Sequence, residues 1–124
     1  MFEYTDTKNA PAALGPYSQA VLAGNILYAS GAIGIDPATG KFVGDDIQTQ
    51  AEQACKNVGE ILKANGMIYD NVVKTTCYIL DMSDFKVFNE VYAEYFTSKP
   101  ARSCVAITAL PAGALCEVEI TAVR

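Results

Sequence analysis

Arg102, in the run Pro100-Ala101-Arg102-Ser103-Cys104-Val105, is the side chain of this sequence best built to hold an anion. The chain has two arginines, and the other is its last residue, Arg124. Arg102 opens an apolar segment, Val105-Ala106-Ile107, where an arginine is costly to bury unless an anion meets it. The guanidinium is a rigid fork of donors that fits a carboxylate bidentately. That carboxylate could be a side chain of the protein, in a structural ion pair, or part of a small ligand. Two candidates from the chain itself are Glu117 and Glu119. They share one face of a strand, and Cys116, Val118, Ile120 and Ala122 form the apolar other. If the strand carrying them pairs with the Arg102 strand through a turn at Leu110 to Ala114, one glutamate comes close to Arg102. The guanidinium would then hold that carboxyl below its usual range.

Two further features could belong to the same site. Gly15-Pro16-Tyr17-Ser18 sets a tyrosine behind a rigid corner at the start of a strand, and Ser30-Gly31 closes a hairpin where bare backbone can approach a ligand. Taken singly, Tyr17 reads as a packed ring and Ser30-Gly31 as a strand end. The chain has no histidine, which excludes Ser-His-Asp and Cys-His catalysis and removes the commonest ligand for zinc or copper. Acid and base work must fall to Asp, Glu, Lys, Tyr, Cys or water. Cys55, Cys77, Cys104 and Cys116 form no C-x-x-C pair and read as small buried residues of a reducing compartment.

The elements that must position these residues follow from periodicity. Ser18 to Leu22 and Ile26 to Ser30 are extended runs joined by a three-residue loop, Ala23-Gly24-Asn25. Asp36-Pro37-Ala38-Thr39-Gly40 is a turn. Asp46 to Asn65 is helical, with an apolar stripe through Ala51, Ala54, Cys55, Val58, Ile61 and Leu62, and Gly66 stops it. Val72 to Leu80 is a strand. Ser83 to Phe96 is a second helix, with Phe85, Phe88, Val91, Tyr92, Tyr95 and Phe96 on its packing face. Ala101 to Thr108 and Leu115 to Val123 are the last strands. Two helices on one face of a mixed sheet is the economical arrangement, an α+β fold, and the other face needs a cover such as another subunit.

The chain has 124 residues, 51% of them hydrophobic, and reads as one domain, residues 1–124, able to fold without metal or disulfide staples. No apolar run reaches the roughly 18 residues that span a bilayer. The acidic start, Met1 to Asp6, has no signal-peptide core, so a cytoplasmic protein is expected. The net charge is −5 and the seven lysines are scattered, which counts against nucleic acid and membrane surfaces as partners.

Together the motifs are more specific than each alone. Ala10-Pro11-Ala12-Ala13-Leu14-Gly15-Pro16-Tyr17-Ser18-Gln19-Ala20 resembles the N-terminal signature of the RidA/YjgF family of reactive-intermediate deaminases. Ser30-Gly31, Asp36-Pro37-Ala38-Thr39-Gly40, Val73-Lys74-Thr75-Thr76, Phe88-Asn89, Pro100-Ala101-Arg102-Ser103-Cys104-Val105 and Leu110-Pro111 through Glu117-Val118-Glu119 follow in the family's order. The resemblance implies a fold like that of the trimeric chorismate mutases, three subunits around a central barrel with clefts between neighbours. It implies hydrolysis of 2-enamine and 2-imine acids, such as 2-aminoacrylate, 2-iminopropanoate and 2-iminobutanoate, to 2-keto acids and ammonia, with no metal or organic cofactor. Arg102 would hold the substrate carboxylate, and Glu117 would activate water and return a proton. The Cys104 backbone would help fix water or substrate. Tyr17 would wall the pocket from the adjoining subunit, and Ser30 and Gly31 would line it. Lys99 stands where relatives often have an aromatic residue, and Ala32 where a glutamine is frequent; both bear on pocket selectivity. The alternatives are a non-catalytic trimeric sensor of small 2-keto acids or other carboxylates, an endoribonuclease or translation inhibitor, and a holdase-like chaperone.

Overall fold

The computed structural model describes residues Met1–Arg124. Eight strands and two helices run in the order β1 (Phe2–Thr5), β2 (Ala20–Ala23), β3 (Ile26–Ala29), β4 (Ile35–Asp36), β5 (Lys41–Phe42), α1 (Ile47–Ala64), β6 (Val72–Ile79), α2 (Phe85–Tyr95), β7 (Ala101–Ala106) and β8 (Cys116–Val123). Six strands form one sheet in the order β1-β2-β3-β8-β6-β7, and β4 and β5 make a separate ribbon around the turn at Asp36 to Gly40. Every pairing is antiparallel except β6 with β7, which are joined through α2.

Local chemistry explains both helices. Asp46 caps α1 by accepting from the Thr49 N–H at 2.8 Å, satisfying one of the free donors of the first turn. Gly66, at φ +69°, takes the left-handed position that ends it. The stripe of α1 lies buried, with Ala51, Ala54, Cys55 and Leu62 fully enclosed. The aromatic face of α2 packs beside it, with Phe88, Val91, Tyr92 and Phe96 buried. Both helices cover the same sheet face, over one core that includes Leu27, Cys77, Ile79, Val118 and Ile120. The α+β architecture read from periodicity is therefore present.

Three expectations need correction. The hairpin register pairs Ala23 with Ile26, so the β2–β3 loop has two residues, Gly24 and Asn25, rather than three. The N-terminal strand β1, which adds an edge beside β2, was not expected from its short mixed run. The third correction matters most: β8 does not pair with β7. Strand β6 lies between them, pairing with β8 on one side and β7 on the other. A strand-helix-strand unit favours parallel neighbours, and β6-α2-β7 is such a unit.

Buried amides brace the loops over one end of the sheet. Asn57, 2% exposed, donates from Nδ2 to the carbonyls of Ile33 and Ile35 at 2.9 Å each. Gln50 donates to the Gly44 carbonyl and accepts from the Leu115 N–H. Replacing Asn57 by leucine leaves two enclosed carbonyls without donors. Such groups cost about 1–3 kcal/mol each. Urea denaturation of Asn57→Leu should therefore show a loss of roughly 2–6 kcal/mol in unfolding free energy.

Candidate active site

The pleat decides where the candidate residues go. Successive side chains of a strand point to opposite faces. In register, Arg102 lies beside Thr75 of β6, and Thr75 lies beside Ile120 of β8. Thr75 and Ile120 are buried under the helices, so Arg102 points to the helix side. Glu117 lies beside Tyr78, and Glu119 beside Thr76, on the open face. Arg102 and Glu117 are therefore on opposite faces of the sheet with a strand between them. The internal Arg–Glu ion pair raised by the sequence does not form within the chain.

Glu117 sits in a cleft of about 380 Å³ with Leu14, Gly15, Pro16, Tyr17, Ser30, Gly31 and Pro111. A cavity of about 80 Å³ adjoins it, where Ala10, Ala32, Ile33 and Ile61 add an apolar wall. Gly31 lies directly against the Glu117 carboxyl group, which occupies the space a Cβ at position 31 would take. Ser30 is held by its Oγ–H, which donates to the Ser18 carbonyl at 2.7 Å, and by its N–H, which donates to the Gln19 carbonyl. Tyr17 lies in a loop before β2, half-exposed, and its hydroxyl oxygen accepts from the Leu14 N–H at 2.9 Å. It shares the cleft with Glu117 of its own chain, whereas Arg102 lies in the other cleft.

Burial, reinforced by the nearby Glu119 carboxylate, raises the Glu117 carboxyl above its usual range. The sequence had placed it below that range on the premise of an adjacent arginine. With Arg102 on the other face, the premise fails and the direction reverses.

Arg102 lines a second cleft with Asn89, Tyr92, Ala93, Phe96, Thr97, Lys99 and Pro100. Its partners there are neutral. Nη1 donates to Asn89 Oδ1 at 2.8 Å, and the guanidinium carbon lies 4.8 Å from the centre of the Tyr92 ring and 5.7 Å from that of Phe85. Lys99 holds the turn into β7 at φ +56°, a strained conformation for a lysine before proline. Cys104 shares the helix-side face with Arg102 beside Cys77, and burial raises its thiol pKa, against a smaller lowering by Arg102. Its backbone is more available than its sulfur. β7 is an edge strand, and the Ile107 N–H donates inward to the Ile79 carbonyl. By alternation the Cys104 N–H and C=O point off the free edge.

The residues thus fall in two separate clefts, one around Glu117 and one around Arg102. The endoribonuclease L-PSP family matches residues 7–124. Reactive Intermediate Deaminase A, chloroplastic, of Arabidopsis thaliana is 52% identical over 97% of the chain, which spans 65% of that protein's length. The 2-iminobutanoate/2-iminopropanoate deaminase of Homo sapiens is 49% identical over 95% of the chain and 87% of its own. The chain belongs to the RidA/YjgF family. The crystal structure of E. coli TdcF with bound serine superposes with a TM-score of 0.94 at 38% identity, covering 98% of each chain. Several of the RidA/YjgF blocks quoted from the sequence contribute to these two clefts, Gly15, Pro16, Tyr17, Ser30 and Gly31 to the first and Asn89, Pro100 and Arg102 to the second.

Sequence reasoning missed the amides that hold the first cleft in place. Gln19, buried, donates from Nε2 to the carbonyls of Thr7 and Pro11 and accepts from the Thr7 N–H, pinning the loop over the apolar cavity. The signal for Gln50 and Asn57 was present as polar residues seven apart on the apolar side of α1. No three Cys, Asp or Glu side chains gather as a metal-binding cluster, and no helix is long and apolar enough to cross a membrane.

The raised Glu117 carboxyl has a consequence for stability. Its folded-state pKa exceeds the unfolded one, so folding is favoured by protonation and weakened as pH rises through the folded pKa. Glu117→Gln removes that charge. The variant should melt at the same or a higher temperature than the wild type at pH 7, with the two curves converging toward pH 4. A Glu117→Gln protein less stable than wild type at pH 7 would contradict this assignment.

Proposed function

We propose that this protein is a cofactor-independent deaminase that hydrolyses 2-imino acids and their 2-enamine tautomers, among them 2-aminoacrylate, 2-iminopropanoate and 2-iminobutanoate. The products are the 2-keto acid and ammonia. The observation that carries the reading is a pair of uncompensated charges. Arg102 has only neutral partners, and no lysine or arginine lines the clefts around Glu117, whose charged neighbour Glu119 is of like sign. A substrate with a carboxylate at one end and an imine carbon at the other suits both. The names of the Arabidopsis and human relatives support the reaction, and the serine bound to E. coli TdcF supports a ligand of amino-acid size.

Arg102 binds the carboxylate, a charge-assisted contact that contributes roughly 1.5–3 kcal/mol. Glu117 takes a proton from water as the oxygen bonds to the imine carbon and delivers it to the imine nitrogen, giving a neutral carbinolamine. It then takes the carbinolamine O–H proton and passes it to the same nitrogen, so that the C–N bond breaks, ammonia leaves and the carbonyl forms. A carboxyl pKa raised above its usual range makes the group a better base toward water. Positioned acid/base help of this kind contributes about 10²–10⁴-fold. Tyr17, Ser30 and Gly31 line the imine end, the apolar cavity receives the short side chain, and the outward backbone of Cys104 holds water or substrate.

Since the two clefts lie on opposite faces of one chain, a working site needs the Arg102 half of one subunit against the Glu117 half of another. The assembly is a homotrimer closed over the open sheet face, where Tyr28 and Val105 are exposed. The four free thiols suit a reducing compartment, the cytoplasm. The endoribonuclease in the family's description is disfavoured here by the acidic balance and the lack of histidine.

Threonine and a threonine dehydratase generate 2-iminobutanoate, which semicarbazide traps before it hydrolyses. The wild type should suppress semicarbazone formation, and Arg102→Ala and Glu117→Gln should each lose about 10²-fold or more of that activity. The acid limb of the rate profile should lie above the ordinary glutamate value of about 4.3. Binding of 2-oxobutanoate without suppression would make the protein a ligand sensor. Sedimentation velocity should show three times the chain mass, and a monomer that turns over imine would defeat the intersubunit site.

A further inference from the structure

We propose that Asn89 is a positioning residue for Arg102, one that fixes the guanidinium with a hydrogen bond while leaving its charge uncompensated for an anionic ligand. The inference rests on the carboxylate role of Arg102 proposed above. Phe85, Asn89 and Tyr92 fall at i, i+4 and i+7 along α2, so all three present to one side of the helix. Arg102 meets each of them.

The platform beneath the guanidinium is rigid. The Tyr92 hydroxyl shares a 2.8 Å hydrogen bond with Thr75 Oγ1, and Thr75 is fully buried in β6. The Tyr92 ring also stacks on Phe96, with ring centres 4.5 Å apart and planes 23° from parallel. An arginine laid on that ring gains a cation–π attraction that fixes the plane of the fork but not its rotation within the plane. The Asn89 carbonyl oxygen fixes the rotation by accepting from Nη1 at 2.8 Å. A guanidinium has five N–H donors, so one bond to Asn89 leaves the rest for a carboxylate.

The chemistry of the acceptor is the informative part. An aspartate would reach Arg102 as well as an asparagine does and would bond it more strongly. It would also neutralise the charge that the ligand needs. A neutral amide directs the fork without competing for it. A purely structural contact would have no reason to prefer the weaker acceptor.

The experiment measures binding of 2-oxobutanoate and the KM and kcat for imine in the full-length wild type, Asn89→Asp, Asn89→Ala and Arg102→Ala. Asn89→Asp keeps the acceptor and adds a charge. It should melt at or above the wild-type temperature yet bind 2-oxobutanoate roughly ten-fold or more weakly, with KM rising more than kcat falls. Asn89→Ala loses the bond and keeps the free charge, so it should lose less affinity than Asn89→Asp. If the contact serves only the fold, the order reverses, with Asn89→Ala the worse binder and Asn89→Asp close to wild type, and the inference is overturned. If Arg102→Ala binds as well as wild type, the carboxylate role of Arg102 falls and that of Asn89 with it. If Arg102→Ala loses binding while Asn89→Asp does not, only the role of Asn89 falls.

Discussion

The pleat of the central sheet is the constraint on which the rest depends. Side chains alternate faces, so the register of three strands, β7 against β6 against β8, determines which groups can meet. It sends Arg102 under the helices and Glu117 to the open face. The cation and the anion that would otherwise neutralise each other are held apart by the backbone itself. A shift of one residue in the β6–β7 register would move Arg102 to the other face and Ser103 toward α2. Every property of the two clefts follows from that separation.

Each cleft is then shaped by buried polar groups that the apolar core alone would not need. On one side are Gln19, Gln50 and Asn57, which satisfy carbonyls and N–H groups of the loops lining the Glu117 cleft. On the other are buried Thr75 and Tyr92 and half-buried Asn89, which connect the middle of the sheet to the guanidinium. A buried amide or hydroxyl is costly unless paired, and these are paired throughout. Their effect is to give irregular loops and a long side chain one geometry each, which hydrophobic contact does not do. The Gly31–Glu117 contact works in the same way, because the absence of a Cβ leaves the space that the carboxyl group occupies.

What was legible in the sequence was local. The stripe of α1 and its Gly66 stop, the aromatic face of α2 and the two-faced pattern of β8 are properties of a few residues each, and all are found as read. What was not legible was pairing between strands that no tight hairpin joins. The expectation that β7 meets β8 followed the shorter connection, whereas α2 had already committed β7 to lie parallel beside β6. That error carried into the chemistry, since it put Arg102 beside Glu117 and reversed the expected direction of the carboxyl shift. Asn89 shows the opposite case. A lone amide within an aromatic stripe at helical spacing marks a point of contact with something polar, though only the sheet order reveals that the partner is Arg102.

The missing histidine and the separated charges are two sides of one arrangement. Acid/base chemistry near neutral pH usually draws on imidazole, whose unperturbed pKa lies close to the working range. An ordinary glutamate is too weak a base and too strong an acid for the task. Burial of Glu117 and repulsion from Glu119 move it toward that range. A guanidinium in contact would cancel the effect by stabilising the carboxylate. On the deaminase reading, Arg102 must therefore act on the same substrate as Glu117 without touching it, and a substrate that spans two subunits meets that condition. The carboxylate of the imino acid takes up the positive charge at one end, and the carbon to be attacked reaches Glu117 at the other. On that reading the sheet lets a glutamate serve where the chain has no histidine, and the need for a second chain follows from the same register that keeps Arg102 away from Glu117.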